Sequence, residues 1–385
     1  MTGQPTVRIL SKIREVKQTD WDRLVGAGSP FLRWDWLDSL EATGCAGERA
    51  GWLPQHLIVE KEGEIVGACP LYLKSHSMGE FVFDFEWAEY AHRTGIRYYP
   101  KILAGVPFTP VTGSRFLTDA REDRPGLIRL MGKALAGLAA DHRLSSVHVN
   151  FCLEEEKEIL EEIGFLPRVG LQFHWNNRGY GSFDDYLLSF RSERRNKIRH
   201  ERRELEKQGI VIRALEEAEL NPDHLRVMFQ LYQGHVERFS HGQQYLTQEF
   251  FEELSRRFRS YLCLIFAERG SRIIAGTFNV RDGEALYGRY WGAFEEERYL
   301  HFNVCYYAAI EHSIGKGLRR FEAGSGGSFK RLRGLDPQPT YSVHYFPDER
   351  FRLAVEGHLR REREAIREKR ELLLERSPLK TLIRR

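Results

Sequence analysis

Leu286-Tyr-Gly-Arg-Tyr-Trp-Gly292, Leu300-His-Phe-Asn-Val-Cys-Tyr-Tyr307 and Phe321-Glu-Ala-Gly-Ser-Gly-Gly-Ser-Phe-Lys330 are the segments on which the reading of this chain turns. They read as strand, loop, helix, strand and glycine loop, with a dense set of aromatic and ionisable side chains at the strand ends. A final strand is expected at Tyr341–Phe346. Upstream, strands at 261–268, 273–280 and 285–291 follow helical patterns at 219–236 and 247–258.

The first half repeats this order. A helix at Trp34–Glu41 precedes strands at 55–60 and 65–73, joined at Glu62-Gly63, a hairpin signal. Helical periodicity at Arg124–His142, a strand at 146–151, a helix at 154–163 and a strand at 171–175 complete it. Two copies of one pattern imply an α/β (mixed α+β) protein of two tandem domains with mixed sheets. The expected domains are 1–178 and 179–350, the second including a basic helix at 191–208, with a solvated charged helix at 351–385.

At 385 residues, with 42% hydrophobic and 29% charged residues, the chain can fill two cores. No apolar run approaches the roughly 20 residues that span a bilayer. Met1-Thr-Gly-Gln-Pro-Thr6 lacks a secretory pattern, so the expected location is cytoplasmic. Cys45, Cys69, Cys152, Cys263 and Cys305 have no metal or redox spacing, and no His, Asp or Glu cluster has ligand spacing either. Reduced, mostly buried thiols and no metal are expected. A net charge of +3 does not by itself imply nucleic acid, and nothing fixes the oligomeric state.

Several strings carry a resemblance: Phe31-Leu-Arg-Trp-Asp-Trp-Leu, Gly51-Trp-Leu-Pro-Gln-His-Leu, Tyr99-Pro-Lys, Val106-Pro-Phe-Thr-Pro-Val-Thr-Gly113, Gln172-Phe-His-Trp-Asn176 and the Leu286–Tyr307 segment. Over roughly Pro30–Arg360 the chain resembles the FemAB-like family of N-acyltransferases of peptidoglycan biosynthesis or recognition. The resemblance implies tandem GNAT domains with splayed central strands and transfer of an acyl or aminoacyl group to an amine. It leaves the substrate open. Relatives typically carry Gly-Ala-Gln-Gly-Glu-His-Lys where this chain has Gly324-Ser-Gly-Gly-Ser-Phe-Lys330. The lysine is kept; any role of the Glu-His pair cannot be transferred.

Acyl transfer to an amine needs a base and a stabilised oxyanion. Glu322, at a strand end, and His301, before a helix, are the candidate bases. Their structural alternatives are an exposed carboxylate paired with Arg319 or Arg320, and a helix-start side chain bonded to backbone. Lys330 beside an anion nest of Gly324, Gly326 and Gly327 suits an oxyanion or phosphate. The resemblance to Fem enzymes, which have a Phe-Lys pair in an equivalent place, adds to its case. Arg289 and Trp291 share one strand face and Tyr290 the other. Arg289 needs an anionic partner, while a tryptophan and tyrosine in a central strand are more often core than site. Arg333 joins the substrate-binding set, as do His174 and Trp175, for which packing is the alternative.

The donor is an aminoacyl-tRNA or an acyl-CoA, with no permanently bound cofactor. The GNAT pyrophosphate position reads Arg298-Tyr-Leu-His-Phe-Asn303, and the side chains of His301 and Asn303 disfavour CoA. Arg195 and Arg199 lie on a basic helical stripe with Arg191 and Arg202, which suits tRNA phosphates or internal ion pairs. The acceptor is a small-molecule or cell-wall precursor amine. The competing reading is a non-catalytic binding protein for a cell-wall precursor or RNA; a metallohydrolase ranks third.

Overall fold

The computed structural model describes residues 4–239, 243–324 and 326–380. The chain forms two compact units, one of residues 4–170 with 339–367 and the other of the described residues within 171–338 with 368–380.

In chain order the first unit contains β1 (Thr6–Leu10), α1 (Gln18–Val25), α2 (Trp34–Ala42), β2 (Trp52–Pro54), β3 (His56–Lys61), β4 (Glu64–Cys69) and β5 (Leu71–Lys74). Then come α3 (Phe85–Arg93), β6 (Lys101–Ala104), β7 (Leu117–Thr118), α4 (Arg124–Asp141), β8 (Val147–Cys152), α5 (Glu154–Glu161) and the start of β9 (Leu166–Asn176). Glu62 and Gly63 both have positive φ, 53° and 84°, as a tight β3–β4 turn requires. Strands β1-β3-β4-β7 make one antiparallel sheet; β2-β5-β6-β8 continue into β15 (Asp336–Tyr345), with β6 and β8 parallel. Ile128, Met131, Leu135 and Leu160 of α4 and α5 fill the core against Val147 and Val149. Both helices thus bury a stripe at helical spacing.

The second unit holds α6 (Phe183–Leu188), α7 (Ser192–Lys207), β10 (Ile210–Glu216), α8 (Pro222–Phe239), α9 (Gln248–Arg257), β11 (Leu262–Arg269), β12 (Arg272–Arg281) and β13 (Ala285–Ala293). Next are α10 (Leu300–Phe302), a π turn at Asn303–Tyr307, α11 (Ala308–Gly315) and β14 (Arg320–Glu322). The Ser182 and Thr247 hydroxyls accept from the Asp185 and Phe250 N–H groups and start α6 and α9. The strands of this unit lie in the order β10-β11-β12-β13-β14, followed by the C-terminal half of β9; β13 and β14 are the parallel pair. A Cβ on Gly292 would lie 2.0 Å from the Leu231 carbonyl, so only glycine lets α8 approach β13 this closely.

Both units therefore carry the same device, a parallel strand pair after an antiparallel run. The fold is the expected mixed α/β architecture in two units, with different segment boundaries. Trp175 pairs with Phe321, which places 171–178 in the second unit, and Val343 pairs with Val149, which places 339–350 in the first. Pattern along the chain reveals strands but not their partners. α12 (Glu349–Glu375) also differs from the fully solvated helix expected: Phe351, Val355 and Leu359 are buried with Trp87 and Phe346. No helix among the described residues is long and apolar enough to cross a membrane.

Candidate active site

Strand β14 is three residues long and carries the central group, Glu322, opposite Tyr287 on β13 and His174 on β9. The carboxyl is buried. Arg320 Nε lies 2.8 Å from Oε1 and His174 Nε2 lies 3.7 Å from Oε2. Burial outweighs Arg320, so the Glu322 carboxyl is pushed up to about 7. His174 is also buried, and desolvation with the cations Arg320 and Lys330 pushes it down to about 3. It is a neutral imidazole at pH 7. Which of its nitrogens carries the proton is set by neighbours such as the Gln172 side-chain oxygen, 3.4 Å from Nε2.

Lys330 sits in a 3₁₀ turn at Ser328–Arg333 after glycines with positive φ: Gly324 (73°), Gly326 (74°) and Gly327 (83°). Ser325, part of the expected nest, lies outside the described residues. Lys330 Nζ donates to the Gly324 carbonyl at 2.7 Å, so the lysine folds back over its own loop. Desolvation pushes its ammonium down to about 8. The cation acts on both His174 and His301, which makes it the common neighbour of the two sides of the site.

His301 belongs to an aromatic wall, with ring centroids 5.1 Å from Trp291, 5.5 Å from Tyr306 and 6.1 Å from Phe329. Burial, then the nearby Arg333, hold it down to about 4. With Trp291 it lines a cavity of about 270 Å³ that also meets His235, Phe239 and Glu295–Glu297.

The remaining expected residues divide. Arg289 falls at a β-bulge, because Phe278 pairs with Tyr290 while Asn279 pairs with Gly288. The extra residue breaks simple alternation and re-aims the side chain. Its guanidinium lies over the Tyr290 ring, 5.5 Å from the centroid, within the field of Glu322. Tyr290 packs on Tyr232 and Phe278, and Trp175 is core, 1% exposed. Asn303 is spent on the Glu201 and Tyr299 carbonyls, and Arg333 pairs with buried Glu201 at 3.4 Å with its guanidinium 3.5 Å from the Phe302 ring. These two brace α7 and the π turn. Arg298 is exposed over Tyr299, Arg195 reaches the Phe190 carbonyl, and Arg199 lies 3.7 Å from Asp184. Arg202 pairs with Glu311, so the basic stripe is partly consumed by internal ion pairs.

Three features escaped the sequence reading. Tyr287 donates to Asp282 at 2.8 Å, and its own oxygen lies 3.4 Å from Arg320, which it helps to position. Glu295 and Glu297, before α10, hold Arg269; the run Glu295-Glu-Glu297 was a visible signal. Glu216, Cys263 and His312 converge within 4.8 Å, which linear spacing could not show. Arg281 and Lys316 lie 2.7 and 2.8 Å from the two Glu216 oxygens, so this cluster has the chemistry of an ion-pair network. No disulfide joins any of the five cysteines, and Cys305 is half-buried.

Among solved structures, FemX aligns at 12% identity over 89% of this chain and 98% of its own, with a TM-score of 0.54. L-PGS from Bacillus licheniformis aligns at 10% identity over 83% and 95%, with a TM-score of 0.50. The C-terminal domain of a putative lysylphosphatidylglycerol synthetase from Agrobacterium fabrum aligns at 10% identity over 88% and 95%, with a TM-score of 0.53. At these identities the likeness establishes the fold. No curated protein matches in sequence. The FemAB-like family model, described as peptidoglycan biosynthesis/recognition, matches residues 12–381. The chain belongs to the FemAB-like family and shares the fold of FemX.

Proposed function

We propose that the second unit transfers an aminoacyl group from an aminoacyl-tRNA to the amine of a peptidoglycan precursor, with Glu322 as base. The observation that carries this reading is the buried Glu322, pushed to about 7 beside His174 within the field of Lys330. A carboxylate near neutrality accepts a proton from an ammonium at working pH. The freed amine attacks the donor's ester carbonyl, forming the C–N bond. Charge collects on the carbonyl oxygen, where the Lys330 ammonium stabilises it. The nitrogen of the adduct gives its second proton to solvent, the ester C–O bond breaks, and the departing oxygen takes the proton held by Glu322.

His301, neutral at pH 7, lines the aromatic wall, and Arg289 balances the Glu322 charge. The donor is favoured as tRNA over CoA because the side chains of His301 and Asn303 stand where close backbone approach to a diphosphate is needed. Arg191, Lys197, Arg199 and Arg203, exposed on α7, supply a surface for phosphates. The reaction is placed in the cytoplasm, where charged tRNA resides.

The test supplies the purified protein with radiolabelled aminoacyl-tRNA or acetyl-CoA and a peptidoglycan-precursor amine. Label passing from tRNA to the precursor, absent in Glu322→Gln, supports the reading. Transfer from acetyl-CoA alone overturns the donor; binding of precursor with no transfer from either donor overturns the catalysis in favour of recognition.

A further inference from the structure

Phe83-Asp-Phe85 in the first unit inverts the usual order of burial. Asp84 is 2% exposed, whereas Phe83 and Phe85 are 65% and 48% exposed. Two adjacent exposed phenyls around a buried carboxylate run against the transfer preferences of all three side chains. The cause lies inside the fold. Asp84 accepts from the Lys101 ammonium and, at 2.5 Å, from the Tyr98 hydroxyl, while Lys101 also donates to Ser77 at 2.8 Å and Glu80 at 2.9 Å. This buried ionic anchor fixes the carboxylate inward and forces both phenyls out.

The phenyls do not point at random. Their rings stack with centroids 6.0 Å apart and 24° between planes, and they border an open pocket of about 560 Å³ with Trp87. Its polar lining is mixed. Arg168 lies over the Trp87 ring and pairs bidentately with Glu362, so both are committed. Glu86 is exposed and only 3.9 Å from His358. No hydrogen bond or ion pair engages Arg361 among the described residues.

We infer that this pocket is a saccharide-binding site, distinct from the transfer site of the second unit. A pyranose offers an apolar C–H face for the Phe83–Phe85 platform and a ring of hydroxyls that both donate and accept. Arg361 supplies donors, Glu86 an acceptor and His358 either. The volume falls within the range of ordinary ligand sites, about 300–1,000 Å³. An anionic bilayer would meet exposed Glu86 and Glu89 beside the phenyls, and a nucleotide's phosphate would meet Glu86 and Glu362 as well as Arg361. The mixed lining therefore selects a neutral, hydroxyl-rich ring. Rigid anchoring through Asp84 lowers the cost of ordering the platform.

The test titrates the full chain with tetrasaccharides of N-acetylglucosamine, glucose in β-1,4 linkage and glucose in α-1,4 linkage, followed by calorimetry and by NMR of the arginine side chains. Saturable binding of one oligosaccharide is expected, weakened about tenfold or more in Phe83→Ala, Phe85→Ala and Arg361→Ala. Leu188→Ala, an exposed apolar residue of the second unit, should bind normally. Absence of saturation up to about 10 mM overturns the inference. So does binding undiminished in the three variants, or their loss only of binding to phosphatidylglycerol vesicles or uridine monophosphate. The result does not depend on acyl transfer, because Glu322→Gln protein should bind the saccharide as the parent does.

Discussion

The parallel pairs β6/β8 and β13/β14 are the same device used in two ways. In the first unit, β6 runs on into Gly105–Gly113, almost all buried, so the chain fills its own strand ends. Its polar groups gather around a cation: Lys101 holds three side chains, and the Nδ1 atoms of His148 and His344 meet at 2.6 Å, while Glu80 and Asp84 each keep one buried oxygen without a hydrogen bond. In the second unit, β13 runs into a loop with Phe294, Glu296 and Arg298 exposed, and Glu322 keeps a buried oxygen with no hydrogen bond. Burial is severe in both. What separates a structural from a chemical use is whether the chain itself fills the strand ends, as in the first unit, or leaves them beside an exposed loop, as in the second.

The largest effect expected is on turnover. Glu322→Gln and Lys330→Met should each lower aminoacyl transfer by about 100-fold or more while circular dichroism and the melting temperature stay near the parent values. If both variants transfer normally, the two pairs are equivalent and the comparison fails.

Lys101→Met should do the reverse. It leaves buried Asp84 without its cation and Glu80 with only Lys74, 4.0 Å away, at a cost of about 3–5 kcal/mol read from urea unfolding. Unchanged stability with lost transfer would move chemistry into the first unit.

Next comes pH. Transfer should rise as Glu322 deprotonates through about 7 and fall as Lys330 loses its charge through about 8, giving a narrow bell. Lys330→Arg should remove the alkaline limb, because guanidinium stays charged; a limb that persists assigns it to another group.

The smallest effect is on stability. The Glu322 carboxyl is raised in the fold, so the folded state holds the extra proton between about 4.5 and about 7. Its contribution is present below that window and lost as pH rises through it. Glu322→Gln should flatten this part of the stability profile measured by denaturant titration; an unchanged slope would mean the carboxyl titrates normally.

The glycines 324, 326 and 327 and the lysine after them were legible in the sequence because a loop of this kind is written in residue type. The strand of Glu322 was legible for the same reason. Arg333 and Asn303 were not, since a side chain that could meet a substrate is drawn in one dimension like one that meets Glu201. The Glu216–Cys263–His312 group, drawn from three distant elements, was invisible until the sheet closed.

Periodicity and turn residues determined the elements, their order and the doubling of the fold, because these follow from local propensity and burial pattern. The tertiary structure decided which strand ends each sheet, which carboxylates are buried and which remain open, and that Phe83 and Phe85 face outward. Those outcomes depend on partners far apart in the chain and on desolvation, which no local stretch of sequence specifies.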